Sequence, residues 1–138
     1  MNDAHILRKI EREQRQRLLA LKDVALEAVD PNAAVRRHLA CEGGTIRVGD
    51  WSWRVTKIGR LRVIAVGKAA IPMAQAAVDI LGEQIVDGVI VTKTEHAEGH
   101  GLPERFTVIE AGHPIPDESG LRAGREVIRL LDSTTEDD

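Results

Sequence analysis

The feature that most constrains the fold is the stretch over residues 61–70, which reads LRVIAVGKAA. Its apolar run ends at Gly67, Lys68 follows at once, and the alanines after it begin a helical pattern that extends to about Leu81. This order predicts a strand, a tight turn and a helix, with one cation at the turn. In an open α/β sheet, such a turn lies at the carboxyl edge of a strand, where ligands bind.

Two further apolar runs continue the same architecture. Residues 87–92 (DGVIVT) and 106–109 (FTVI) predict short strands, and continuous apolar runs are typical of parallel strands covered on both faces. Residues 121–131 predict a final helix with an apolar side. Strands that alternate with helices indicate a parallel sheet. Because three strands are few for such a domain, we expect an α/β fold, an incomplete doubly wound (Rossmann-like) parallel sheet with helices on both faces.

The first part of the chain predicts N-terminal helices and a small β-hairpin. Residues 4–28 and 32–41 carry apolar side chains near helical spacing, and Asp30-Pro31 is a typical cap and first-turn pair for the second helix. Residues 45–55 alternate apolar and polar side chains, which predicts the hairpin. The expected organisation is a helical preface, a hairpin and a partial α/β sheet, over residues 1–44, 45–58 and 61–138.

The predicted hairpin turns at Gly49-Asp50 and carries two tryptophans. Trp51 and Trp53 are two residues apart, so they fall on one face of the strand. We interpret them as a packing ridge, with contact to a ligand or a partner as the alternative.

Composition and charge argue against several functions. The chain has two Trp, one Phe and no Tyr, and its formal net charge is −3, so it lacks the stacking platforms and the basic field of a nucleic-acid-binding protein. Apolar runs fall short of the about 18 residues of a membrane span, and the charged N-terminus has no signal-peptide core, which predicts a cytoplasmic protein. Cys41 is the single cysteine, so it excludes an intramolecular disulfide.

The turn at Gly67 matches neither common phosphate-binding loop. A Walker A loop needs a glycine where Arg62 stands and a serine or threonine where Ala69 stands, and a second glycine of a dinucleotide fingerprint is missing after Gly67. What remains is Lys68 beside a helix N-terminus. Two positive elements that converge on one point make a site for a phosphate or a carboxylate, although a solvated turn lysine explains Lys68 equally well.

Two other loops bring polar side chains to the same edge. In EAGHPIPDESG (residues 110–120) the prolines fix the directions of His113 and Asp117. His113 could donate to a substrate oxygen near Lys68, or it could be an ordinary loop residue, and Asp117 could simply cap the final helix. In VTKTEHAEGHG (residues 91–101) the candidate ligands include Lys93 and His96.

These residues do not predict a metal site. His96 and His100 are four apart, but they lie in a loop with glycines, so the spacing of helical metal ligands does not apply.

Together, the segments VIAVGKAAIPMAQA, GVIVTKTEHA and EAGHPIPDESGLRAGREVIRLL resemble the N-terminal domain of type II (MOFRL-family) glycerate 2-kinases. The resemblance covers the chain from about Leu18 to its end. It implies ATP and Mg as cofactors and D-glycerate as the substrate, which the family phosphorylates to 2-phosphoglycerate. Some members have been labelled hydroxypyruvate reductases.

The resemblance also implies roles for individual residues. Lys68 matches the family's active-site lysine, which is expected to hold the substrate or the transferring phosphoryl group. His113 and Asp117 match positions that line the same cleft, and Lys93 and His96 match a neighbouring substrate-binding loop.

The family pattern continues beyond Asp138 with a glycine-rich SGGGSALL loop and a C-terminal domain. We therefore expect a chain that ends before these parts to be inactive alone, since phosphoryl transfer needs several groups at once. Its open sheet could self-associate, or the missing part could complement it. A hydroxypyruvate reductase-type oxidoreductase and a non-catalytic anion-binding α/β module are the alternative functions.

Overall fold

The computed structural model describes residues 3–57, 59–136 and 138. The chain divides into two compact units, residues 1–30 and residues 31–138. The first unit contains one polar helix, α1 (Asp3–Ala28), which confirms the predicted helix over residues 4–28. The elements of the second unit are, in order, α2 (Pro31–His38), β1 (Leu39–Glu42), β2 (Thr45–Val48), β3 (Trp51–Arg54), β4 (Leu61–Val66), α3 (Ala70–Leu81), β5 (Ile85–Lys93), β6 (Phe106–Ala111) and α4 (Glu118–Asp132).

The second helix is shorter than predicted, and a strand follows it. Helix α2 ends at His38, so the predicted helix is wrong over residues 39–41, which belong to β1. Leu39 and Cys41 pair with Val48 and Ile46 of β2, and both pack against the buried core. The apolar spacing of this short segment is compatible with a helix or a strand, so the sequence alone does not distinguish them. Pairing with β2 and burial of Leu39 and Cys41 against the core favour the strand.

The predicted hairpin is therefore part of a three-stranded antiparallel meander, in the order β1-β2-β3. Register pairs Ile46 with Trp53 and Val48 with Trp51, so all four side chains share one face. Ile46 is 3% exposed, but Trp51 and Trp53 are 71% and 46% exposed. The interpretation of the tryptophans as a packing ridge is wrong within this chain, because the core reaches β2 and stops short of β3.

The main sheet is parallel and has the order β4-β5-β6. One face packs against α3 through a core of mostly aliphatic buried side chains, in which Ile90 is fully buried. Gly88 allows the close approach of the strands, since a Cβ there would lie 2.5 Å from the Val63 carbonyl oxygen and 2.7 Å from the Phe106 ring. Small side chains on α3, including Ala70 and Ala74, are buried against this face.

Helix α4 packs on the opposite face of the same sheet. Val89 and Ile109 alternate with the residues that face α3, and they are buried together with Ala123 of α4. Arg62 of β4 donates to the Leu130 carbonyl at 3.0 Å, which fixes the end of α4 beneath the start of the sheet. This arrangement confirms an incomplete doubly wound α/β fold with helices on both faces.

Within the described ranges, no helix combines the length and the apolar character needed to cross a membrane.

Candidate functional site at the carboxyl edge of the sheet

The carboxyl ends of the three parallel strands meet at one edge, where they surround a small cavity. Its volume is about 150 Å³. Each of the three strands and the segments that follow them contribute to its wall. The lining residues are Val66, Gly67, Val91, Thr92, Lys93, Ala111, Gly112 and His113.

The turn after β4 is built around Gly67. Its φ of 117° lies in the region that favours glycine. Its N–H donates to the Val91 carbonyl at 2.9 Å, and its own carbonyl accepts from Ala70 N–H at 3.0 Å. The turn therefore stays attached to β5 while the chain reverses into α3, and Lys68 is left exposed at the rim.

The N-terminus of α3 offers few free donors to an anion. The N–H groups of Ala70 and Met73 already donate to the Gly67 and Ala69 carbonyls, and Pro72 has no N–H. Ala69, at the N-cap position, makes no side-chain capping bond. An anion site at this turn would therefore depend mainly on the Lys68 ammonium rather than on helix N–H groups.

The loop after β5 is held by a carboxylate from β6. A Glu110 oxygen accepts from the His96 N–H at 2.9 Å and from the Ala97 N–H at 2.8 Å, while His96 N–H also lies 3.1 Å from the Lys93 carbonyl. Glu95 adopts a φ of 67° in this turn. Sequence reasoning assigned no role to Glu110. The signal that could have found it is an acidic residue at the end of an apolar strand, where unpaired loop N–H groups gather.

The loop after β6 is organised by Asp117. Its carboxylate accepts from Gly120 N–H at 2.9 Å and caps α4. Hydrogen bonds from the backbone N–H groups of Gly120 and Gly112 lower the pKa of Asp117 below its ordinary value. A Cβ on Gly112 would lie 3.0 Å from a carboxylate oxygen of Asp117 and 2.7 Å from the Ile115 carbonyl oxygen, so this loop requires a glycine there.

The structure brings some of the predicted site residues together. Lys93 and His113 line the cavity. Lys68 lies at the neighbouring turn, His96 in the loop held by Glu110, and Asp117 at the cap of α4, and none of these three lines the cavity. The substrate and catalytic roles of all five residues stay predictions.

Among the described residues at the carboxyl edge of the sheet, the donor side chains are unpaired, whereas the carboxylates already have hydrogen-bond partners. Within residues 3–57, 59–136 and 138, the side chains of Lys68, Lys93 and His113 form neither an ion pair nor a hydrogen bond. Two carboxylates of the same edge, Glu110 and Asp117, accept hydrogen bonds from backbone N–H groups. An anion that enters the cavity would therefore meet donors that have no competing partner.

A metal centre is not evident in the same region. Among the residues that the structure describes, no group of three or more His, Cys, Asp and Glu side chains could hold a metal ion.

Fold and site together define a class of protein. A parallel sheet wound with helices on both faces, with donors collected at its carboxyl edge, is typical of α/β domains that bind small ligands at that edge. Residues 17–138 match the family described as "Domain of unknown function (DUF4147)". The chain belongs to this family.

The relatives of the chain are mostly glycerate kinases. It is 39% identical over 114 residues to the D-glycerate 2-kinase of Thermotoga maritima. The aligned region covers 83% of this chain and 24% of that protein. It is 40% identical over 120 residues to the glycerate 2-kinase of Pyrococcus horikoshii, and the aligned region covers 87% of this chain and 26% of that protein. A relative from Agrobacterium vitis, 31% identical over 125 residues, is named for hydroxypyruvate reductase. These matches confirm the resemblance to glycerate 2-kinases.

Solved structures agree with this relationship. A crystal structure of a Pyrococcus horikoshii protein superposes with a TM-score of 0.72 at 39% identity, over 90% of this chain and 27% of that chain. The crystal structure of the Thermotoga maritima glycerate kinase gives a TM-score of 0.67 at 33% identity, over 92% of this chain and 27% of that chain. The present chain thus spans about a quarter of the length of these relatives.

Proposed function

We propose that the chain binds D-glycerate at the carboxyl edge of β4-β5-β6 and forms the acceptor-substrate part of an ATP-dependent glycerate 2-kinase. One observation carries the proposal: Lys93, at the end of β5, and His113, in the loop after β6, line one small cavity beside the turn that bears Lys68. The names of the relatives supply the identity of the substrate.

The charge and size of the cavity fit a small hydroxy acid. Lys93 can pair with the carboxylate of glycerate, and His113 can donate to a carboxylate or hydroxyl oxygen. Gly67 and Gly112 leave room for the ligand, since neither carries a side chain that would fill the space. In this proposal Lys68, which is exposed at the rim, approaches an oxygen that receives the phosphoryl group, as the resemblance to the family implies.

The residues of this chain do not fit a complete ATP-Mg site. A cavity of about 150 Å³ is smaller than the roughly 300–1,000 Å³ of pockets for larger ligands. The described residues also offer no cluster of carboxylates for a divalent cation. In the proposed enzyme, the phosphoryl donor and its metal are held by other parts of the polypeptide, and the present residues bind and orient the acceptor.

Titration by NMR tests the proposal. The labelled chain is titrated separately with D-glycerate, inorganic phosphate and ATP. We expect D-glycerate to shift the amide signals of Gly67, Lys93 and Gly112 in a saturable way, with weaker effects from phosphate. Saturable shifts with phosphate and none with D-glycerate would support the anion-binding module instead.

An oxidoreductase is disfavoured by the turn itself. After Gly67 the chain continues with Lys68 and Ala69, so the glycines that let a dinucleotide pyrophosphate approach the backbone are missing. Saturable binding of NADH at the Gly67 turn in the same titration would contradict the kinase assignment.

A further inference from the structure

Thr92, the residue before the last in β5, brings a buried hydroxyl to the wall of the carboxyl-edge cavity. The residue is 3% exposed, and it is the one polar residue that is buried in the part of the chain that the structure describes. Its Oγ1 makes no hydrogen bond to any described residue. A buried hydroxyl without a partner is less favourable to the fold than an apolar group of the same shape.

Three other buried polar atoms make no hydrogen bond among the described residues, and they lie at the amino ends of the strands. These atoms are Arg62 Nε, Asp87 Oδ1 and Arg105 Nε. Each belongs to a charged side chain that forms an ion pair, Arg62 with Asp87 at 3.5 Å and Arg105 with Glu83 at 3.4 Å. The Thr92 hydroxyl lacks such compensation, and it lies in the candidate site. A ligand that binds there would explain the unpaired hydroxyl.

The side of Thr92 that faces β4 is open. Alternation along β5 puts the Thr92 side chain on the face that packs against α3, together with Ile90. The Gly67 N–H donates to the Val91 carbonyl, which continues the parallel ladder and sets Gly67 opposite Thr92. Gly67 has no side chain, and a Cβ built there would meet no other group within 4 Å. A small ligand therefore has space beside Thr92.

The side of Thr92 that faces β6 is already engaged. Glu110 is the register partner of Thr92. One Glu110 oxygen accepts from the N–H groups of His96 and Ala97, so the carboxylate holds the loop after β5. It forms no hydrogen bond with Thr92. The hydroxyl thus lies between a carboxylate that supports the loop and a glycine that leaves space for a ligand.

We propose that the Thr92 hydroxyl is a specificity-determining group, which forms a hydrogen bond with a hydroxyl of the bound acid. A threonine hydroxyl both donates and accepts, as a ligand hydroxyl does, whereas the Lys93 ammonium only donates and suits the carboxylate. A site with such a group discriminates against analogues that lack the hydroxyl, because the group is then left unpaired. The inference rests on the proposed D-glycerate site and names the feature of the substrate that the site recognises.

Thr92→Val tests the proposal, because valine keeps the shape of threonine and removes only the hydroxyl. We expect this variant to melt at the temperature of wild type or above it, since the hydroxyl has no partner among the described residues. We expect its affinity for D-glycerate, measured by calorimetric titration, to fall about tenfold. Unchanged affinity, whatever the effect on melting, would overturn the proposal.

Two further variants are the controls. Thr92→Ser keeps the hydroxyl and should retain most of the affinity that Thr92→Val loses. Thr107→Val removes a hydroxyl from an exposed position on β6 outside the cavity wall, so it should leave the affinity unchanged. An equal loss of affinity in all three variants would show a general effect of substitution and would contradict a role for the Thr92 hydroxyl.

Ligands that lack one hydroxyl identify the group that Thr92 binds. D-Lactate lacks the hydroxyl on the terminal carbon of D-glycerate, and 3-hydroxypropionate lacks the hydroxyl next to the carboxylate. For one of the two, we expect wild type to bind about tenfold more weakly than D-glycerate, and Thr92→Val to show little difference. Equal discrimination by both proteins against both ligands would refute the role of Thr92 while D-glycerate binding stands. If wild type does not bind D-glycerate, the proposed function is wrong and the inference falls with it.

Discussion

Two lysines at the carboxyl edge of the sheet differ in their surroundings. Lys93 is half-buried in the cavity wall, while Lys68 is exposed on the turn that leads into α3. A charged hydrogen bond contributes more where water is excluded. We therefore expect the two residues to have separable roles, with Lys93 anchoring a bound anion and Lys68 acting at the rim.

Substitution of these lysines should reveal the difference. Lys93→Gln is expected to weaken D-glycerate binding about tenfold or more, within the range of about 1.5–3 kcal/mol for hydrogen bonds to charged groups. Lys68→Ala should weaken binding less, because solvent screens its charge. Calorimetric titration measures both. Lys9→Ala, on α1, is the control for loss of one positive charge, and an equal loss of affinity in all three variants would contradict a local site.

Asp117 should link the stability of the chain to pH. Its folded-state pKa lies below the ordinary value of 3.8, because backbone N–H groups bind the charged carboxylate. The stabilisation is therefore fully present above about pH 4 and is lost as the pH falls through the folded-state pKa. Thermal unfolding of wild type should show this loss at acidic pH.

Two variants at this position separate charge from capping. Asp117→Asn keeps a good capping side chain, so we expect near-normal melting at neutral pH with a weaker acidic dependence. Asp117→Ala removes the cap and should lower the melting temperature by a few degrees. Identical melting of wild type and Asp117→Ala at pH 7 would mean that the cap contributes nothing to stability.

At the scale of the element, β5 is the strand on which the sheet depends. It pairs with both β4 and β6, and it includes two of the most deeply buried side chains, Ile85 and Ile90. A Cβ at Gly88 would lie 2.5 Å from the Val63 carbonyl oxygen of β4 and 2.7 Å from the Phe106 ring of β6. A side chain at this position has no space without movement of the backbone.

Gly88→Ala should therefore destabilise the fold strongly. The added methyl would contact the Val63 carbonyl and the Phe106 ring at distances well below normal packing, and overpacking of this kind costs about 1–3 kcal/mol or more. Urea unfolding gives the change in the free energy of unfolding.

The same substitution on α4 is the matched control. Gly124 has nothing within 4 Å of a Cβ position. Gly124→Ala should therefore stabilise the chain by about 0.5–1 kcal/mol, since alanine favours a helix interior. Equal effects at both positions would contradict the packing that is described around Gly88.

At the scale of the whole molecule, the candidate site lies at one end of a sheet of only three parallel strands. The cavity at the carboxyl edge offers donors for a small anion, and β4 beside it pairs with a strand on one side only among the described residues. Phosphoryl transfer needs positioning and charge neutralisation by several groups together. The cavity on its own does not supply them.

We accordingly predict that the purified 138-residue chain has no substantial glycerate kinase activity. A coupled assay of ATP turnover with D-glycerate measures it, and Lys68→Ala is the control for contaminating activity. Turnover by the wild-type chain that Lys68→Ala abolishes would refute the prediction.

Strong, continuous patterns in the sequence predict the sheet well. The run LRVIAV, the glycine and the alanine-rich helix after it predict β4 and α3 closely, because each is long and has one period. Short segments are less certain. Residues 39–41 suit a helix by spacing, and the pairing of β1 with β2, which lies outside any local window, makes them a strand.

The site shows the same division. The sequence identifies Lys93 and His113 as candidate binding residues, because each is a polar side chain that follows an apolar strand pattern. Spacing along the chain does not reveal that Glu110 supports the loop of His96, because the two are brought together by register between β5 and β6. Nor does it reveal that the Asp117 carboxylate accepts hydrogen bonds from the backbone N–H groups of Gly120 and Gly112.

The sequence by itself determined the strand-turn-helix at Gly67, the class of the fold and the family, because local periodicity and residue type act over a few neighbouring positions. The tertiary structure alone decided which polar groups meet, that both tryptophans stay exposed, and which strands lie at the edges of the sheet. These outcomes depend on strand register and on the faces that helices cover, and both are set by contacts between residues far apart in the chain.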